Sequence, residues 1–299
     1  MSVERAKARA EKIGLKLRYG ADLGQLAACR APFTQLSMDE RTAEYVLASE
    51  QFRHGALLTW LHRLLRAFLS DFDINGILGT YPMHVLSTTQ WKHLIEAALH
   101  TLPPGETLFD SDSPTRLLDV GAGRGDATDE LAPLFQAVTV TETSSQMARR
   151  LRKQGYTCLN EDISKSDKFN ASFDVVSLLN VLDRCDFPMS LLATARSALK
   201  PGGLLLIALV LPYKPFVYDQ GRPRAPLERL AIKAGQFEIA AAEFVTACLL
   251  PLGLEVLTLS RAPYLSGGDA QHALYELDDL IVVCRAKDEL PLIGKKSDD

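Results

Sequence analysis

The chain is 299 residues long and has a formal net charge of −4, with 47% hydrophobic and 23% charged residues. These proportions are ordinary for a globular protein and exclude a chain that is disordered throughout. A weakly negative protein is poorly suited to bind a nucleic-acid backbone, so we expect no nucleic-acid partner. The longest aliphatic run, residues 204–211, is too short to cross a bilayer, and the first residues contain no apolar run of the signal-peptide type. We therefore expect a cytoplasmic protein without a membrane span.

The cysteines and histidines do not have the spacing of a metal site. The five cysteines are widely separated and form no CxxC pair, which is typical of thiols in a reducing compartment. The six histidines form neither an H-E-x-x-H motif nor a zinc-type pair with a cysteine. We therefore predict no bound metal.

The first third of the chain has a helical pattern. Apolar residues recur at helical spacing over residues 43–69, and Asp73-Ile74-Asn75-Gly76 then gives a turn signal. Ser87-Thr88-Thr89-Gln90 has the pattern of a helix N-cap and predicts a helix over residues 91–102. This part of the chain is predicted to form a helical lobe.

From residue 116 onwards, apolar strand-like segments alternate with helical ones. Strands that are apolar along their whole length predict a parallel sheet with helices on both faces. The last two strands are expected to close this sheet, with the loop that joins them over the site. The predicted strands are residues 116–120, 137–141, 157–160, 175–179, 204–211, 254–260 and 280–285, and the predicted helices are residues 127–134, 144–154, 188–199 and 237–252.

A glycine-rich turn follows the first of these strands, in the sequence Asp119-Val120-Gly121-Ala122-Gly123-Arg124-Gly125-Asp126. Glycines allow a tight turn and a close approach of the backbone to a ligand. A dinucleotide site requires a third glycine where this chain has Asp126, and a carboxylate there would repel a pyrophosphate. S-adenosylmethionine has an ammonium and a sulfonium but no phosphate, so the pattern favours this cofactor over NAD.

An acidic residue at the end of the next strand supports this interpretation. Glu142 is placed to accept the ribose hydroxyls, although it could instead be a charge at the start of the following helix. Asp162, after the third strand, is placed to meet the adenine amino group. We therefore predict an α/β, Rossmann-like class I S-adenosylmethionine methyltransferase sheet of seven strands, the last pair antiparallel, over residues 113–286. A helical lobe over residues 1–112, its first 40 residues as a loose extension, and a flexible tail over residues 287–299 complete the predicted organisation.

The end of the fourth strand faces the transferable methyl group in this fold. Asn180-Val181-Leu182-Asp183 stands there and lacks the prolines and the aromatic residue of base-methylating enzymes, so base methylation is disfavoured. Asn180 and Asp183 offer acceptor atoms that suit a nucleophile bearing an N–H. Asp183 could equally be a helix cap or a partner for Arg184.

Ordered segments along residues 43–285 resemble the DREV, or methyltransferase-like nine, family of protein-histidine N-pros-methyltransferases. The most specific segment is Asn180-Val181-Leu182-Asp183-Arg184-Cys185-Asp186. The others include Asp73-Ile74-Asn75-Gly76-Ile77-Leu78-Gly79, Leu117-Leu118-Asp119-Val120-Gly121-Ala122-Gly123, Ala208-Leu209-Val210-Leu211-Pro212-Tyr213, Arg261-Ala262-Pro263-Tyr264-Leu265 and Leu277-Asp278-Asp279.

The resemblance implies methylation of a histidine in His-x-His segments of proteins, on the ring nitrogen nearer the backbone, with S-adenosylhomocysteine as the second product. Asp183 would accept the proton on the far nitrogen, so that the near nitrogen presents its lone pair to the methyl group. Tyr275 would pack on or hydrogen-bond the ring. We expect a monomer that acts on proteins or peptides containing His-x-His.

The predicted site combines these contacts with their neighbours in the chain. The cofactor-binding residues are Asp119, Gly121, Ala122, Gly123, Glu142, Asp162 and Asn180. The catalytic residues are Asn180, Asp183 and Tyr275, and the substrate-binding residues are Asn180, Asp183, Arg184, Tyr264 and Tyr275. Tyr264 and Tyr275 could instead be ordinary packing residues under the late loop.

Two other functions stay open from the sequence. The glycine-rich turn would fit a methyltransferase that acts on a small metabolite equally well. A non-catalytic S-adenosylmethionine-binding scaffold is a further alternative, although it would not need Asn180 and Asp183. An NAD-dependent oxidoreductase is disfavoured by Asp126.

Overall fold

The protein is described here by a computed structural model over residues 2–49, 82–103, 115–165, 168–219, 222–268 and 272–287. The predicted turn at residues 73–76 and most of the helical pattern at residues 43–69 lie outside this part of the chain. Strands and helices are numbered in chain order. The strands are β1 (Met83–His84), β2 (Arg116–Val120), β3 (Ala137–Thr141), β4 (Thr157–Leu159), β5 (Phe173–Leu179), β6 (Leu199–Val210), β7 (Val217–Asp219), β8 (Arg222–Arg224), β9 (Leu254–Gly267) and β10 (Leu274–Ala286).

Within the described residues, one large sheet has the strand order β1-β9-β10-β6-β5-β2-β3-β4, and β7 and β8 form a separate hairpin. The five neighbouring strands β4, β3, β2, β5 and β6 are parallel, whereas β10 runs antiparallel to both β6 and β9. The predicted α/β sheet with an antiparallel closing strand is confirmed. The chain order reverses between β2 and β5, and ligands of open α/β sheets bind at the carboxyl ends of the strands at such a point.

The sheet has one strand more than predicted. Met83 and His84 pair antiparallel with Ser266 and Leu265 of β9, so β1 adds an eighth strand at that edge. A two-residue strand is too short for a periodic pattern to show in the sequence. It follows that the segment predicted as purely helical also contributes to the sheet.

Helices cover both faces of the sheet. Ser87 caps its helix through a reciprocal pair with Gln90, as the sequence predicts. The last predicted helix begins at Phe237 and continues through a π-helical turn and a 3₁₀ turn to Leu252. The helices are α1 (Ser2–Lys12), α2 (Leu23–Leu26), α3 (Glu40–Leu47), α4 (Thr88–Leu99), α5 (Asp126–Leu131), α6 (Ser145–Lys153), α7 (Pro188–Ala198) and α8 (Phe237–Phe244). None of the described helices combines the length and apolar character that crossing a membrane requires.

The β6 strand shows why apolar runs without alternation form this sheet. Leu204 and Leu206 pack into the core on one face, together with Trp91 of α4. Leu205 and Ile207 pack into the core on the other face. Both faces are buried, so every position gains from being apolar, by roughly 1.5–3 kcal/mol for each large side chain.

Strands β9 and β10 are longer than the sequence indicates. Residues 261–267 and 274–279, predicted to belong to the joining loop, continue the two strands, and Pro263 pairs with Asp278 within them. A proline is tolerated because β1 covers the other side of β9 only at Leu265 and Ser266. Tyr264 and Tyr275 therefore lie in strands and not in a loop.

The segment of residues 2–49 packs against this end of the sheet. Ala6, Ala10 and Val46 form an apolar cluster with Leu265 of β9 and Leu274 of β10. The described part of this segment therefore contributes to the folded core. The division of the chain at residue 112, with a loose extension before it, stays a prediction.

His84 joins β1 to this N-terminal segment. Its ring stacks on Tyr45 with ring centroids 5.3 Å apart, and its Nε2 lies 2.9 Å from the Thr42 hydroxyl. Burial lowers the pKa of His84 from 6.5 to about 4. The folded protein therefore favours the neutral imidazole.

This burial makes the stability of the fold depend on pH. Between pH 6.5 and 4 the unfolded chain binds a proton that folded His84 does not, so acid lowers the free energy of unfolding by up to roughly 3 kcal/mol. At pH 7 we expect His84→Gln to be less stable than the wild type, because the stacking and the Thr42 contact are lost. Thermal melts from pH 7 to 4.5 should show this difference narrowing. His93→Gln, at an exposed position of α4, is the control and should melt in parallel with the wild type; a difference for His84→Gln that stays constant with pH would contradict the argument.

Candidate active site

The glycine-rich turn connects β2 to α5 and is held by the end of β3. The N–H groups of Gly121 and Ala122 both donate to the carbonyl oxygen of Thr141, each at 3.0 Å. Gly123 and Gly125 also have positive φ angles, and Gly125 is the N-cap of α5. The backbone of the turn is thus fixed against β3, next to the predicted ribose-binding residue.

Gly121 brings the turn into contact with the end of β5. Its φ is +71°, and a Cβ atom added there would lie 2.9 Å from the Cγ2 atom of Val181. Val181 stands between the predicted site residues Asn180 and Asp183. A side chain at position 121 would therefore push directly on the segment that carries these two groups.

Asp119 lies beneath the turn and is 2% exposed. One carboxylate oxygen accepts a hydrogen bond from the Ser177 hydroxyl of β5 at 2.6 Å, and the other accepts from the Thr128 hydroxyl of α5 at 2.5 Å. Burial raises the pKa of Asp119 to about 6, against the effect of these two hydrogen bonds. The carboxylate joins β2, β5 and α5, and its predicted direct contact with the cofactor stays a prediction.

Glu142 follows β3, as predicted, and bends back over the turn. Its Oε2 accepts a hydrogen bond from the N–H of Gly123 at 2.9 Å, and its Oε1 accepts from the N–H of Ser144 at 2.7 Å. The second contact gives a hydrogen-bond acceptor to the backbone N–H of Ser144, just before α6. Glu142 therefore also has the alternative role, that of a charge at the start of this helix. The carboxylate thus borders the cofactor turn, where ribose hydroxyls could replace one of these donors.

Asp162 and Asp126, two further acids near the turn, differ in their hydrogen-bond partners. Asp162 is exposed, and one of its oxygens accepts from the N–H of Ser164 at 2.9 Å. Asp126 faces Arg124 and the N–H of Met83, at 3.0 and 3.1 Å. Because Arg124 offsets its charge, repulsion by Asp126 is a weaker argument against a pyrophosphate than the sequence suggests.

Asn180 begins the loop after β5 in a left-handed conformation, with φ at +56°. Its backbone N–H donates to the carbonyl of Ala208 on β6, at 2.9 Å. Its side-chain Nδ2 donates to Asp279 of β10 at 2.8 Å, whereas its buried Oδ1 has no hydrogen-bond partner among the described residues. The amide therefore offers an acceptor to a ligand at the sheet edge.

Asp183 is 2% exposed, and its two carboxylate oxygens have different surroundings. Its Oδ2 accepts from the Arg184 guanidinium, which confirms the ion pair considered from the sequence. Its Oδ1 is buried and has no partner in the described part of the chain. Burial raises the pKa of Asp183 to about 6, and the charge of Arg184 opposes this rise.

Arg184 and Phe216 hold Asp183 in place. The guanidinium lies 4.0 Å from the centre of the Phe216 ring, and the N–H of Phe216 donates to the backbone carbonyl of Asp183 at 3.1 Å. A cation on an aromatic face and a backbone hydrogen bond both restrict the loop. Arg184, predicted to bind substrate, is thus engaged with Asp183 and Phe216.

A second acidic residue, which sequence reasoning did not assign to the site, completes this corner. Asp279 of β10 is 0% exposed, accepts the Asn180 hydrogen bond through Oδ2 and has an unpartnered, buried Oδ1 within the described chain. The available signal was an acidic residue immediately before the apolar run at residues 280–284. Pattern alone could not connect it to Asn180, which is 99 residues away in the chain.

The two tyrosines lie on the same face of the sheet as Asp279 but differ in position. Tyr264 is partly buried, and burial raises its pKa, with a further increase from the carboxylates of Asp279 and Asp183. Tyr275 is 40% exposed, and its hydroxyl lies 3.2 Å from Nδ1 of His272. It stands four residues before Asp279, roughly 13 Å along an extended strand. Tyr264 borders the corner, whereas the described structure does not bring the hydroxyl of Tyr275 to it.

The strand order, the glycine-rich turn and the acidic residue after β3 define a Rossmann-like methyltransferase. The family model of the DREV methyltransferases matches residues 22–286. The chain therefore belongs to the DREV methyltransferase family.

Solved structures of methyltransferases match this chain at low sequence identity and with TM-scores below 0.5. N-methyltransferase NodS from Bradyrhizobium japonicum, in complex with S-adenosylhomocysteine, is 16% identical, and the match covers 67% of this chain and 87% of that one with a TM-score of 0.40. A 1,6-didemethyltoxoflavin-N1-methyltransferase from Burkholderia thailandensis is 18% identical over 67% of this chain and 78% of that one, with a TM-score of 0.43. A methyltransferase from Methanosarcina mazei is 14% identical over 63% and 99% of the two chains, with a TM-score of 0.42.

The cofactor of this methyltransferase is S-adenosylmethionine, and the residues at the sheet edge fit it. The space around Gly123 is open: the nearest atom to an added Cβ is 4.0 Å away. Glu142 supplies carboxylate oxygens beside the turn, and Asn180 supplies an unpartnered amide oxygen. A ligand with hydroxyl and ammonium donors meets acceptors at both points.

The close contact at Gly121 predicts a defect in cofactor binding. Gly121→Ala adds a Cβ that must displace Val181, so we expect the dissociation constant for S-adenosylmethionine to rise about tenfold or more. Gly202→Ala is a matched control, because Gly202 has a φ of +72° and no atom within 4 Å of the added Cβ. Both variants carry the same backbone strain, of roughly 1–2 kcal/mol. Calorimetric titration should show weaker binding only for Gly121→Ala; an equal loss in both variants would refute the contact-based explanation.

Proposed function

We propose that this enzyme methylates the near-backbone (pros) ring nitrogen of a histidine in His-x-His segments of proteins. The observation that carries the proposal is the set of buried, unpartnered acceptor atoms in the corner after β5. Oδ1 of Asn180 and Oδ1 of Asp183 lie there without donors among the described residues. Leaving such atoms unpaired in the interior is costly, so a ligand with N–H groups is strongly favoured there.

A neutral imidazole fits one of these acceptors, Oδ1 of Asp183, and leaves Oδ1 of Asn180 to the ammonium group of S-adenosylmethionine. It has one N–H donor and one nucleophilic lone pair, on opposite sides of the ring. If the far N–H donates to Oδ1 of Asp183, the tautomer is fixed and the near nitrogen keeps its lone pair. The family resemblance supports the same substrate class.

The chemistry required of the chain is modest. Bound S-adenosylmethionine supplies an electrophilic methyl group on its sulfonium. Transfer of this methyl group to the near nitrogen would break the carbon–sulfur bond and would leave S-adenosylhomocysteine and a positively charged methylated ring. Asp183 then accepts the far-nitrogen proton, which returns the product to its neutral form.

Arg184 and Phe216 support this step by fixing the carboxylate. Arg184 occupies Oδ2 of Asp183 and so leaves Oδ1 for the substrate. Its positive charge also favours the ionised form of Asp183, which is the form that accepts a proton. We therefore propose that Arg184, predicted to bind substrate, affects substrate binding indirectly, by holding Asp183.

The direct test is the incubation of the enzyme and labelled S-adenosylmethionine with a His-Ala-His peptide. Mass spectrometry with chromatographic separation of the two ring isomers should detect only the near-nitrogen product. Label in a small metabolite fraction of a cell extract, with none in protein, would favour the alternative substrate class. Cofactor binding without transfer to any acceptor would favour a binding scaffold.

The role of Asp183 gives a sharper prediction. Asp183→Asn cannot accept the imidazole proton in the same way, so we expect kcat on the peptide to fall about 100-fold or more. The affinity for S-adenosylmethionine should stay within about threefold of the wild type. A steady-state methylation assay and a calorimetric titration measure the two quantities.

Asp186→Asn is the matched control for this change. Asp186 lies three residues further along the same loop, and its two oxygens bind Arg224 at 2.6 and 2.8 Å. This variant should keep kcat within a few-fold of the wild type. Wild-type turnover by Asp183→Asn, or an equal loss in both variants, would rule out the proposed proton acceptor.

A further inference from the structure

Asp279 is a buried acid whose surroundings differ from those of its neighbour in β10. Asp278 faces Arg261, with both carboxylate oxygens in contact with the guanidinium, at 2.8 and 2.5 Å. Asp279 is fully buried on the other face, and within the described chain its hydrogen bond comes from the uncharged amide of Asn180. Of these two neighbours in β10, only Asp278 has a direct cationic partner among the described residues.

The electrostatic setting of Asp279 favours the protonated acid. Removing a carboxylate from water without a cation is strongly unfavourable, and the group then takes up a proton. Burial raises the pKa of Asp279 well above its ordinary value, and the charges of Asp183 and Asp278 add to this effect. The corner therefore contains two acidic side chains, of which Asp183 is the one stabilised by a guanidinium.

We propose that Asp279, as the neutral acid, is a positioning residue for methyl transfer that orients the Asn180 amide and leaves Asp183 as the charged acceptor. The contact from Nδ2 of Asn180 to Oδ2 of Asp279 fixes which end of the amide is free. With Nδ2 engaged in this way, Oδ1 is the end of the Asn180 amide that has no partner in the described chain. The assignment of Asp183 as acceptor rests on the proposed function, whereas the orientation of Asn180 does not.

A neutral Asp279 also removes an ambiguity in substrate binding. Two ionised carboxylates in one corner would compete for the imidazole N–H and would repel each other. With one neutral acid and one carboxylate, the N–H has a single charged acceptor, so the ring has one preferred orientation. The selection of one ring nitrogen over the other would then depend on both acids.

The test compares two substitutions at position 279. Asp279→Asn keeps an oxygen that can accept from Asn180 and cannot ionise, so we expect kcat within about threefold of the wild type. Asp279→Ala leaves Nδ2 of Asn180 without its partner, so we expect kcat on the His-Ala-His peptide to fall tenfold or more. Asp183→Asn should lose activity, so equivalent changes in two acids of the same corner should have opposite outcomes.

A merely structural role would not give this pattern. Asp278→Ala removes a structural ion pair and serves as the comparison: the melting temperature should fall while kcat per folded enzyme is retained. If Asp279→Ala does not fold, the turnover of Asp279→Asn alone tests the proposal. Retained turnover by Asp279→Asn supports the neutral acid, and lost turnover overturns it. Wild-type turnover by folded Asp279→Ala also overturns the proposal.

Calorimetric titration with S-adenosylmethionine tests the positioning role of Asp279 independently of the proposed histidine substrate. If the wild-type enzyme methylates no His-x-His peptide, the proposed function fails, but the orientation of Asn180 can still be measured. Asp279→Ala should then bind S-adenosylmethionine at least several-fold more weakly, and Asp279→Asn as tightly as the wild type. Equal affinities in all three proteins would overturn the positioning role.

Discussion

The site depends on one constraint: buried oxygen atoms must find hydrogen-bond donors. Most buried polar groups among the described residues meet the requirement internally, and Asp119 is an example, with a hydroxyl donor on each oxygen. Asn180, Asp183 and Asp279 each satisfy one side-chain position and leave one oxygen without a partner in the described chain. Such partial satisfaction is expected where a ligand supplies the missing donors.

The topology of the sheet explains why these oxygens meet. Asn180 and Asp183 follow β5, whereas Asp279 lies on β10, which runs in the opposite direction on the far side of β6. An antiparallel strand brings its beginning to the edge where the parallel strands end. The register that pairs Asp279 with Val210 sets its position beside the loop after β5. The closing strand therefore contributes to the candidate site as well as to the sheet.

Local patterns predicted much of this arrangement. The bounds of β2 and β3, the capped helix α4 and the adjacency of the glycine-rich turn to Glu142 follow from short-range signals that the structure retains. The contribution of Asp279 depends on strand register between distant segments, which no local pattern encodes. The extensions of β9 and β10 were missed for a related reason: Pro263 is a strand breaker in sequence terms, and only its place near a thinly covered edge makes it acceptable.

The two acids in the corner show how the same functional group can take two roles. Both are buried, and burial favours the protonated form of each. The difference arises from their neighbours: Asp183 has Arg184, held in turn by Phe216, whereas Asp279 has an amide donor. A guanidinium favours the ionised carboxylate. Beside an uncharged amide, desolvation favours the protonated acid. Pairs of acids with divergent environments are a common means of separating a charged group from a neutral one in an active site. Under the proposed function, this separation would give the corner one proton acceptor and one fixed amide, and so would hold an imidazole in a single tautomer.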